Sequence, residues 1–172
     1  RPVNDASGGV HIKTDIWTVH NYEQDPARLK EIIYKDGVFF QTPLRSVGVV
    51  PANIGFNGLR QNDRYEFPSY DGKMPYFIDE VGGIKWAKDQ ERESQTESWG
   101  YGKPPKSQAE FLQRLEGQIN GILELKDQVW GYCYTQLTDV EQEQNGVYYY
   151  DRTPKFDMKL IRAIFSRDPG DK

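Results

Sequence analysis

The chain has 172 residues, of which 37% are hydrophobic and 13% aromatic, so it is long enough and apolar enough to bury one folded core. Its net charge of −4 provides no basic surface for nucleic acid, and it contains no apolar run of 18 residues that could span a membrane. Its single cysteine excludes an intrachain disulfide and leaves the cellular compartment open. We therefore expect a folded domain that binds neutral ligands.

The first part of the chain predicts two strands and a helix. An extended run over residues 1–5 predicts one strand, and the apolar run over residues 15–19 predicts another. Asp25 and Pro26 have the residue types of a helix N-cap and a first helical position, which predicts a helix over residues 25–35. The buried side of this helix is predicted to consist of Leu29, Ile32 and Ile33.

The central part predicts another strand and helix. Residues 75–80 are a short apolar run that begins with a proline, as a buried strand can. Ser107 and Glu110 have the spacing of a capping box, which predicts a helix from Ser107 to about Leu125. Its apolar stripe is predicted to be Phe111, Leu112, Leu115, Ile119, Ile122 and Leu123.

The last part again predicts a strand followed by a helix. Residues 129–135 form the strand, and the helix is predicted to begin at Thr153-Pro154. The residues predicted to lie on its buried side are Phe156, Leu160, Ile161, Ile164 and Phe165.

Alternating strands and helices predict a parallel sheet with right-handed crossovers. Four such strands make half of a (β/α)8 TIM barrel, which needs about 250 residues when complete. We therefore predict an α/β fold in which residues 1–172 form the C-terminal half of a barrel. The upstream half is expected to precede Arg1, since no initiator Met is present. The long connection over residues 36–74 is predicted to cover the mouth of a site.

The segment over residues 74–83 contains the leading candidate for a catalytic acid. Glu80 follows an apolar run at the carboxyl end of the predicted strand, where catalytic groups collect in parallel α/β folds. Gly82 and Gly83 would let the backbone turn away tightly, so that a substrate could approach the acid. The structural alternative is a strand that simply ends in an acidic turn.

Three segments in order, over residues 15–26, 75–83 and 131–146, resemble the C-terminal half of the catalytic barrel of glycoside hydrolase family 2, the β-galactosidase and β-glucuronidase group. Together with the elements between them, they extend the resemblance over most of the chain. The resemblance implies that the chain is a partial catalytic domain with barrel strands five to eight, and that residues 1–5 are strand five.

In this family the acid at the position of Glu80 is the nucleophile of a retaining glycosidase, which hydrolyses O-glycosidic bonds through a glycosyl-enzyme intermediate. Tyr22 resembles the tyrosine that hydrogen-bonds this nucleophile and keeps it ionised. Retention also requires an acid/base carboxyl group about 5 to 5.5 Å from the nucleophile. The family's acid/base Glu follows an Asn at the end of strand four, and this sequence contains no Asn-Glu dipeptide. The fragment alone is therefore expected to be inactive.

Further residues are candidates for contacts with a carbohydrate substrate. His20 either binds a sugar hydroxyl, orients Glu80 or is structural, and Gln136 is a candidate binder of hydroxyl groups. Trp130 and Tyr134 belong to the strand that the family uses near the bound sugar. Most aromatic candidates for stacking on a sugar are expected to be core residues, and they are Trp17, Trp86, Trp99, Trp130 and Tyr134.

Asp139, Glu141 and Glu143 form an acidic run before Asn145-Gly146, a dipeptide that favours a tight hairpin turn. We expect a solvated acidic face, and the alternative is that one carboxylate binds sugar hydroxyls or a cation. Neither paired His or Cys residues nor a phosphate-binding glycine pattern is present. The sequence therefore predicts no metal site and no cofactor.

Three functions remain open. The first is part of a retaining β-glycosidase, and its sugar and linkage are left open by the sequence. The second is a non-catalytic carbohydrate-binding or structural half-barrel, whose two exposed sheet edges would favour self-association. The third is a barrel hydrolase of another carbohydrate family.

Overall fold

A computed structural model describes residues 1–8, 11–39, 70–87 and 98–170. This part of the chain has a mixed α/β fold with a parallel three-stranded sheet, a separate two-stranded hairpin and three helices. The elements in chain order are β1 (Trp17–Asn21), α1 (Pro26–Ile33), β2 (Tyr34–Lys35), β3 (Val38–Phe39), β4 (Tyr76–Gly82), α2 (Gln108–Leu123), β5 (Gly131–Thr135) and α3 (Met158–Phe165). The sheet order is β1-β4-β5.

Helix α1 begins as predicted and ends earlier. The Asp25 side chain caps it by accepting a hydrogen bond of 2.8 Å from the backbone N–H of Arg28, and Pro26 is the first helical residue. The helix ends before Tyr34, which is extended and pairs with β3. The hairpin turn between β2 and β3 is Asp36–Gly37, where both residues have the positive φ that a type I′ turn requires.

Helix α2 has the predicted N-cap but only half of the predicted capping box. The Ser107 hydroxyl accepts a hydrogen bond of 3.2 Å from the N–H of Glu110. The Glu110 carboxylate accepts from the N–H of Lys106, one residue before the position that a full capping box uses. Among the predicted stripe, the fully buried side chains are Phe111, Leu115, Ile119 and Ile122.

Helix α3 begins later than predicted, at Met158, with Asp157 as its N-cap. Pro154 instead forms an isolated bridge with Tyr148, so the prediction of a helix start at Thr153-Pro154 is wrong. The buried residues of α3 are Ile161 and Ile164, whereas Leu160 is exposed. Leu160 lies about 100° around the helix from Ile161, and this rotation takes it off the buried face.

Residues 1–5 do not form the predicted strand. A single backbone hydrogen bond joins Asp15 to the carbonyl of Val3 in this region, and it forms no ladder. The Asp5 carboxylate accepts hydrogen bonds from the backbone N–H groups of Ile12 and Lys13, at 2.6 and 2.7 Å. A side chain that binds the backbone in this way competes with strand pairing.

The core consists of two clusters of buried apolar side chains. One joins β1 and β4 to α1 and includes Val19, Leu29, Ile33, Ile78 and Val81. The other joins α2 to α3, and α2 contacts both other helices. Within the described ranges, no helix is both long and apolar enough to cross a bilayer. Most of the connection over residues 36–74, predicted to cover a site, lies outside the described residues.

Candidate active site

Strand β4 carries one extra residue opposite β1. Val19 pairs with Ile78 and His20 pairs with Glu80, so Asp79 has no partner on β1. In a regular strand, neighbouring side chains point to opposite faces, and a bulge of this kind redirects them. As a result both carboxylates lie close to His20, at 3.5 Å for Asp79 and 3.2 Å for Glu80.

Two groups converge on one oxygen of Glu80. The Tyr22 hydroxyl donates a hydrogen bond to Oε2, and Nδ1 of His20 lies 3.2 Å from the same atom. Among the described residues, no hydrogen bond or ion pair reaches Oε1. The Glu80 side chain is 32% exposed. One carboxylate oxygen is therefore held in place, and the other remains available to a ligand.

The Tyr22 ring is fixed by a second aromatic ring. It stacks face to face on Tyr101, with ring centroids 3.5 Å apart. Gly83 has a positive φ, and a Cβ atom there would lie 2.7 Å from Tyr22 and 2.5 Å from Tyr101. Burial, together with hydrogen bonds to Glu80 and Tyr101, raises the pKa of Tyr22. The hydroxyl therefore stays protonated at ordinary pH and can donate to Glu80.

On the other side of His20 lies Ser7, which sequence reasoning did not identify. The Ser7 hydroxyl donates a hydrogen bond of 2.8 Å to Oδ2 of Asp79, and its oxygen lies 3.1 Å from Nε2 of His20. The order Ser7, His20, Glu80 resembles a Ser-His-acid triad. In such a triad the serine gives its proton to histidine, whereas Ser7 donates to Asp79. This arrangement does not favour a serine nucleophile.

Gln136 lies beyond β5 at the same end of the sheet as Glu80. The carbonyl of the preceding residue, Thr135, accepts a hydrogen bond of 2.7 Å from the N–H of Gly83. The Gln136 side chain donates to Asn145 Oδ1 at 2.7 Å, so this predicted hydroxyl binder already has a protein partner.

Two other predicted substrate contacts lie away from Glu80. Trp130 precedes β5, and its N–H donates to the carbonyl of Tyr76, the first residue of β4. Trp130 is therefore at the amino end of the sheet, opposite to Glu80. Tyr134 packs its ring 5.0 Å from Phe165 of α3, on the helix side of the sheet. Its hydroxyl is buried without a hydrogen-bond partner in the described part of the chain, and burial raises its pKa.

The remaining tryptophans divide into core and surface residues. Trp17 is buried in the core, and Trp86 packs against Phe111 and Phe156. Trp99 is 46% exposed and contacts Tyr101 edge to face, with ring centroids 5.8 Å apart. Trp99 is therefore connected through Tyr101 to the Tyr22 ring.

The sequence predicts a solvated face for the acidic run after β5, but only part of this run is exposed. Asp139 is buried and pairs with Lys155, with 2.6 Å between Oδ1 and Nζ. Glu141 is exposed with a positive φ, and Val140 pairs with Glu143 across it. The tight turn is therefore at residues 141–142, and the predicted turn at Asn145-Gly146 is wrong. Asn145 is buried, and its side-chain amide is satisfied by hydrogen bonds with the side chains of Gln136 and Glu143.

Other parts of the described chain offer little for catalysis. No group of three or more His, Cys, Asp or Glu side chains among the described residues could hold a metal ion. A cavity of about 820 Å³ lies at the carboxyl end of α2, lined by Leu123, Lys126 and Arg167 among others. That end of α2 leads to the amino end of β5, so this cavity is remote from Glu80.

No protein-family model matches the sequence, and no curated protein matches it. Function therefore has to be inferred from the residues of the site.

Proposed function

We propose that this chain is part of a retaining β-glycosidase of the family 2 type, with Glu80 as its nucleophile. The observation that carries the proposal is the asymmetry of the Glu80 carboxylate. Its Oε2 is held by Tyr22 and His20, while Oε1 has no partner among the described residues. A nucleophilic carboxylate needs such an arrangement, because one oxygen must be free to attack while the group as a whole stays oriented.

In the proposed reaction, Oε1 attacks the anomeric carbon of a β-glycoside as the bond to the leaving-group oxygen breaks. An acid/base carboxylic acid protonates that oxygen, and the sugar becomes an ester of Glu80. The same acid/base group then removes a proton from water, which attacks the anomeric carbon and releases Glu80 as a carboxylate. Tyr22 donates to Oε2, and this hydrogen bond stabilises the ionised carboxylate before attack and after release.

The acid/base group in this proposal comes from another strand of a (β/α)8 barrel. Asp79 is a poor candidate, since it already accepts a hydrogen bond from Ser7 and its side chain is only 14% exposed. In the described sheet, β1 and β5 each pair with β4 alone, which leaves an edge free on both sides. These edges are where further barrel strands would pair, with the acid/base group at the same end as Glu80.

The proposal is tested by Glu80→Gln in the full-length protein. We expect turnover of aryl β-glycosides to fall by at least about 10³-fold, as expected when a nucleophile is removed. A fluorinated glycoside that stabilises the covalent intermediate should add its sugar mass to the peptide containing Glu80. The matched control is Glu31→Gln, which replaces an exposed carboxylate on α1 and should leave turnover unchanged. Turnover retained by Glu80→Gln would remove Glu80 from the mechanism.

A second candidate, a non-catalytic carbohydrate-binding half-barrel, is favoured by the two free sheet edges. It predicts that the 172-residue chain binds sugars in calorimetry without turnover and associates with itself. A dispersed monomer in size-exclusion chromatography with light scattering would contradict the predicted self-association.

A further inference from the structure

We propose that Ser7 and Asp79 are a positioning pair that fixes a proton on Nε2 of His20 and thereby directs Nδ1 to the nucleophile. The inference rests on the proposed role of Glu80 for its kinetic consequence. Its structural content concerns only the hydrogen bonds Asp79–Ser7–His20 and the contact of His20 with Glu80, and it can be measured without turnover.

The direction of each hydrogen bond follows from counting protons. A serine hydroxyl has one hydrogen, and that of Ser7 goes to the carboxylate of Asp79. At its contact with His20 the Ser7 oxygen can then only accept, so Nε2 must carry a hydrogen. Nδ1 faces Oε2 of Glu80 at 3.2 Å, and the two atoms attract each other when one proton lies between them. Ser7 therefore fixes the proton on Nε2 and the orientation of the ring, and Nδ1 is the ring atom that faces the nucleophile.

The backbone around Ser7 is built for this contact. Gly8 has a positive φ, and a Cβ atom there would lie 1.9 Å from the imidazole ring of His20. Only glycine therefore allows the chain to pass so close to the ring. The Thr18 hydroxyl accepts from the N–H of Gly8 at 3.2 Å and donates to the carbonyl of Ala6 at 2.7 Å. These bonds hold both neighbours of Ser7 against β1.

The segment before Ser7 is anchored as well. Besides the N–H groups of Ile12 and Lys13, the Asp5 carboxylate binds Nδ1 of the buried His11, at 2.6 Å. Nε2 of His11 accepts a hydrogen bond of 3.1 Å from the backbone N–H of Thr18. Ser7 therefore lies between two residues that are hydrogen-bonded to Thr18, and it follows an anchored Asp5.

The charged and titratable groups around His20 are few among the described residues. They are Asp79 and Glu80 from β4, and Tyr22, whose ring contacts the imidazole edge to face at 6.4 Å. Ser7 does not titrate, so it can fix the position of a proton without adding a charge. Exchange of Ser7 for alanine then removes the nearer acceptor, 3.1 Å from Nε2, leaves Asp79 Oδ1 at 3.5 Å and does not change the charges.

The direct test is NMR of the imidazole nitrogens in the 172-residue chain, which has two histidines. Loss of signals in His20→Asn identifies the His20 ring. We expect Nε2 of His20 to carry a proton in the wild type, Ser7→Ala to give a mixture of protonation forms, and Ser7→Thr to restore the wild-type pattern. Unchanged His11 signals would show that the fold is retained. An unprotonated Nε2 in the wild type, or a wild-type pattern in Ser7→Ala, would overturn the proposal.

The kinetic test uses the full-length protein. We expect kcat to fall about tenfold in Ser7→Ala, the effect of losing one hydrogen bond to a charged group, with KM unchanged and with rescue by Ser7→Thr. Absence of glycosidase activity in the wild type would reject the proposed function and leave the NMR test valid. If the wild type is active and Ser7→Ala changes neither kcat nor the His20 signals, the positioning pair alone is rejected.

Discussion

Two clusters of charged side chains in this molecule have similar chemistry and opposite exposure. In the Glu80 cluster, formed by Ser7, His20, Tyr22, Asp79 and Glu80, the side chains of His20 and Glu80 are 30% and 32% exposed. In the Lys155 pair, formed by Asp139 and Lys155, the side chains are 5% and 0% exposed. Both clusters join carboxylates to a nitrogen group within hydrogen-bonding distance.

The two clusters also differ in the groups that hold their carboxylates. Oδ1 of Asp139 accepts from both Lys155 and the N–H of Gly146, and Nζ of Lys155 also donates to the carbonyl of Trp86. In the Glu80 cluster, Oε1 of Glu80 has no partner among the described residues. A partly exposed carboxylate with an oxygen that has no protein partner can serve a ligand, whereas a buried carboxylate held by a cation serves the fold.

The largest effect on stability is expected at the Lys155 pair. Lys155→Met leaves the Asp139 carboxylate buried without its cation, and we expect a loss of about 3 to 5 kcal/mol in the free energy of unfolding. Urea denaturation of the chain measures this loss. In the double variant with Asp139→Asn, part of the loss should be recovered, because no unpaired charge remains buried.

A matched control for that prediction is Lys35→Met. Lys35 pairs with Glu31 on the surface at 3.4 Å, and exposed pairs of this spacing contribute only about 0.3 to 0.5 kcal/mol. A loss in Lys155→Met as small as in this control would contradict the distinction between the two kinds of pair.

An intermediate effect, on activity and not on stability, is expected in the Glu80 cluster. Tyr22→Phe keeps the stack on Tyr101 and removes the hydroxyl that donates to Glu80. We expect kcat/KM of the full-length protein to fall by about 10- to 100-fold, the equivalent of one hydrogen bond to a charged group. The urea midpoint of the chain should stay within experimental error. Full activity in Tyr22→Phe would show that Glu80 does not depend on this donor.

The smallest effect is expected at Asp5, which anchors the Ser7 loop. Burial alone would raise the pKa of Asp5, but hydrogen bonds from His11, Ile12 and Lys13 outweigh it and lower the pKa to about 2, from 3.8. The ionised form is thus favoured by folding, so its contribution is fully present above about pH 4 and is lost as the pH falls through about 2.

Asp5→Asn should therefore lower the free energy of unfolding by about 1 kcal/mol at pH 7, because solvent screens part of the interactions of this exposed residue. The difference between wild type and variant should shrink as the pH falls toward 2, because the wild type then also loses the carboxylate. Urea denaturation at pH 7 and at pH 3 measures both values. Asp127→Asn, at an exposed aspartate, is the control. A difference that does not change with pH would contradict the assignment of this effect to the Asp5 carboxylate.

Sequence patterns predicted the elements that depend on neighbouring residues. The N-caps Asp25 and Ser107 are at the predicted positions, since capping involves residues only three apart. Glu80 and Tyr22, predicted to interact, are in contact, because Glu80 lies near the carboxyl end of β4, Tyr22 follows β1, and these two strand ends meet in a parallel sheet. Their roles as nucleophile and partner remain predictions.

What the sequence alone determined is therefore the order of the three strands of the parallel sheet and of the three helices, and the end of the sheet at which Glu80 lies. Only the tertiary structure decided which side chains surround it. The bulge at Asp79 depends on pairing with β1, and the bond from Ser7 to Asp79 joins residues 72 positions apart. The burial of Asp139 depends likewise on Lys155. Such contacts arise from packing between distant segments, and a local pattern of residue types carries no signal of them.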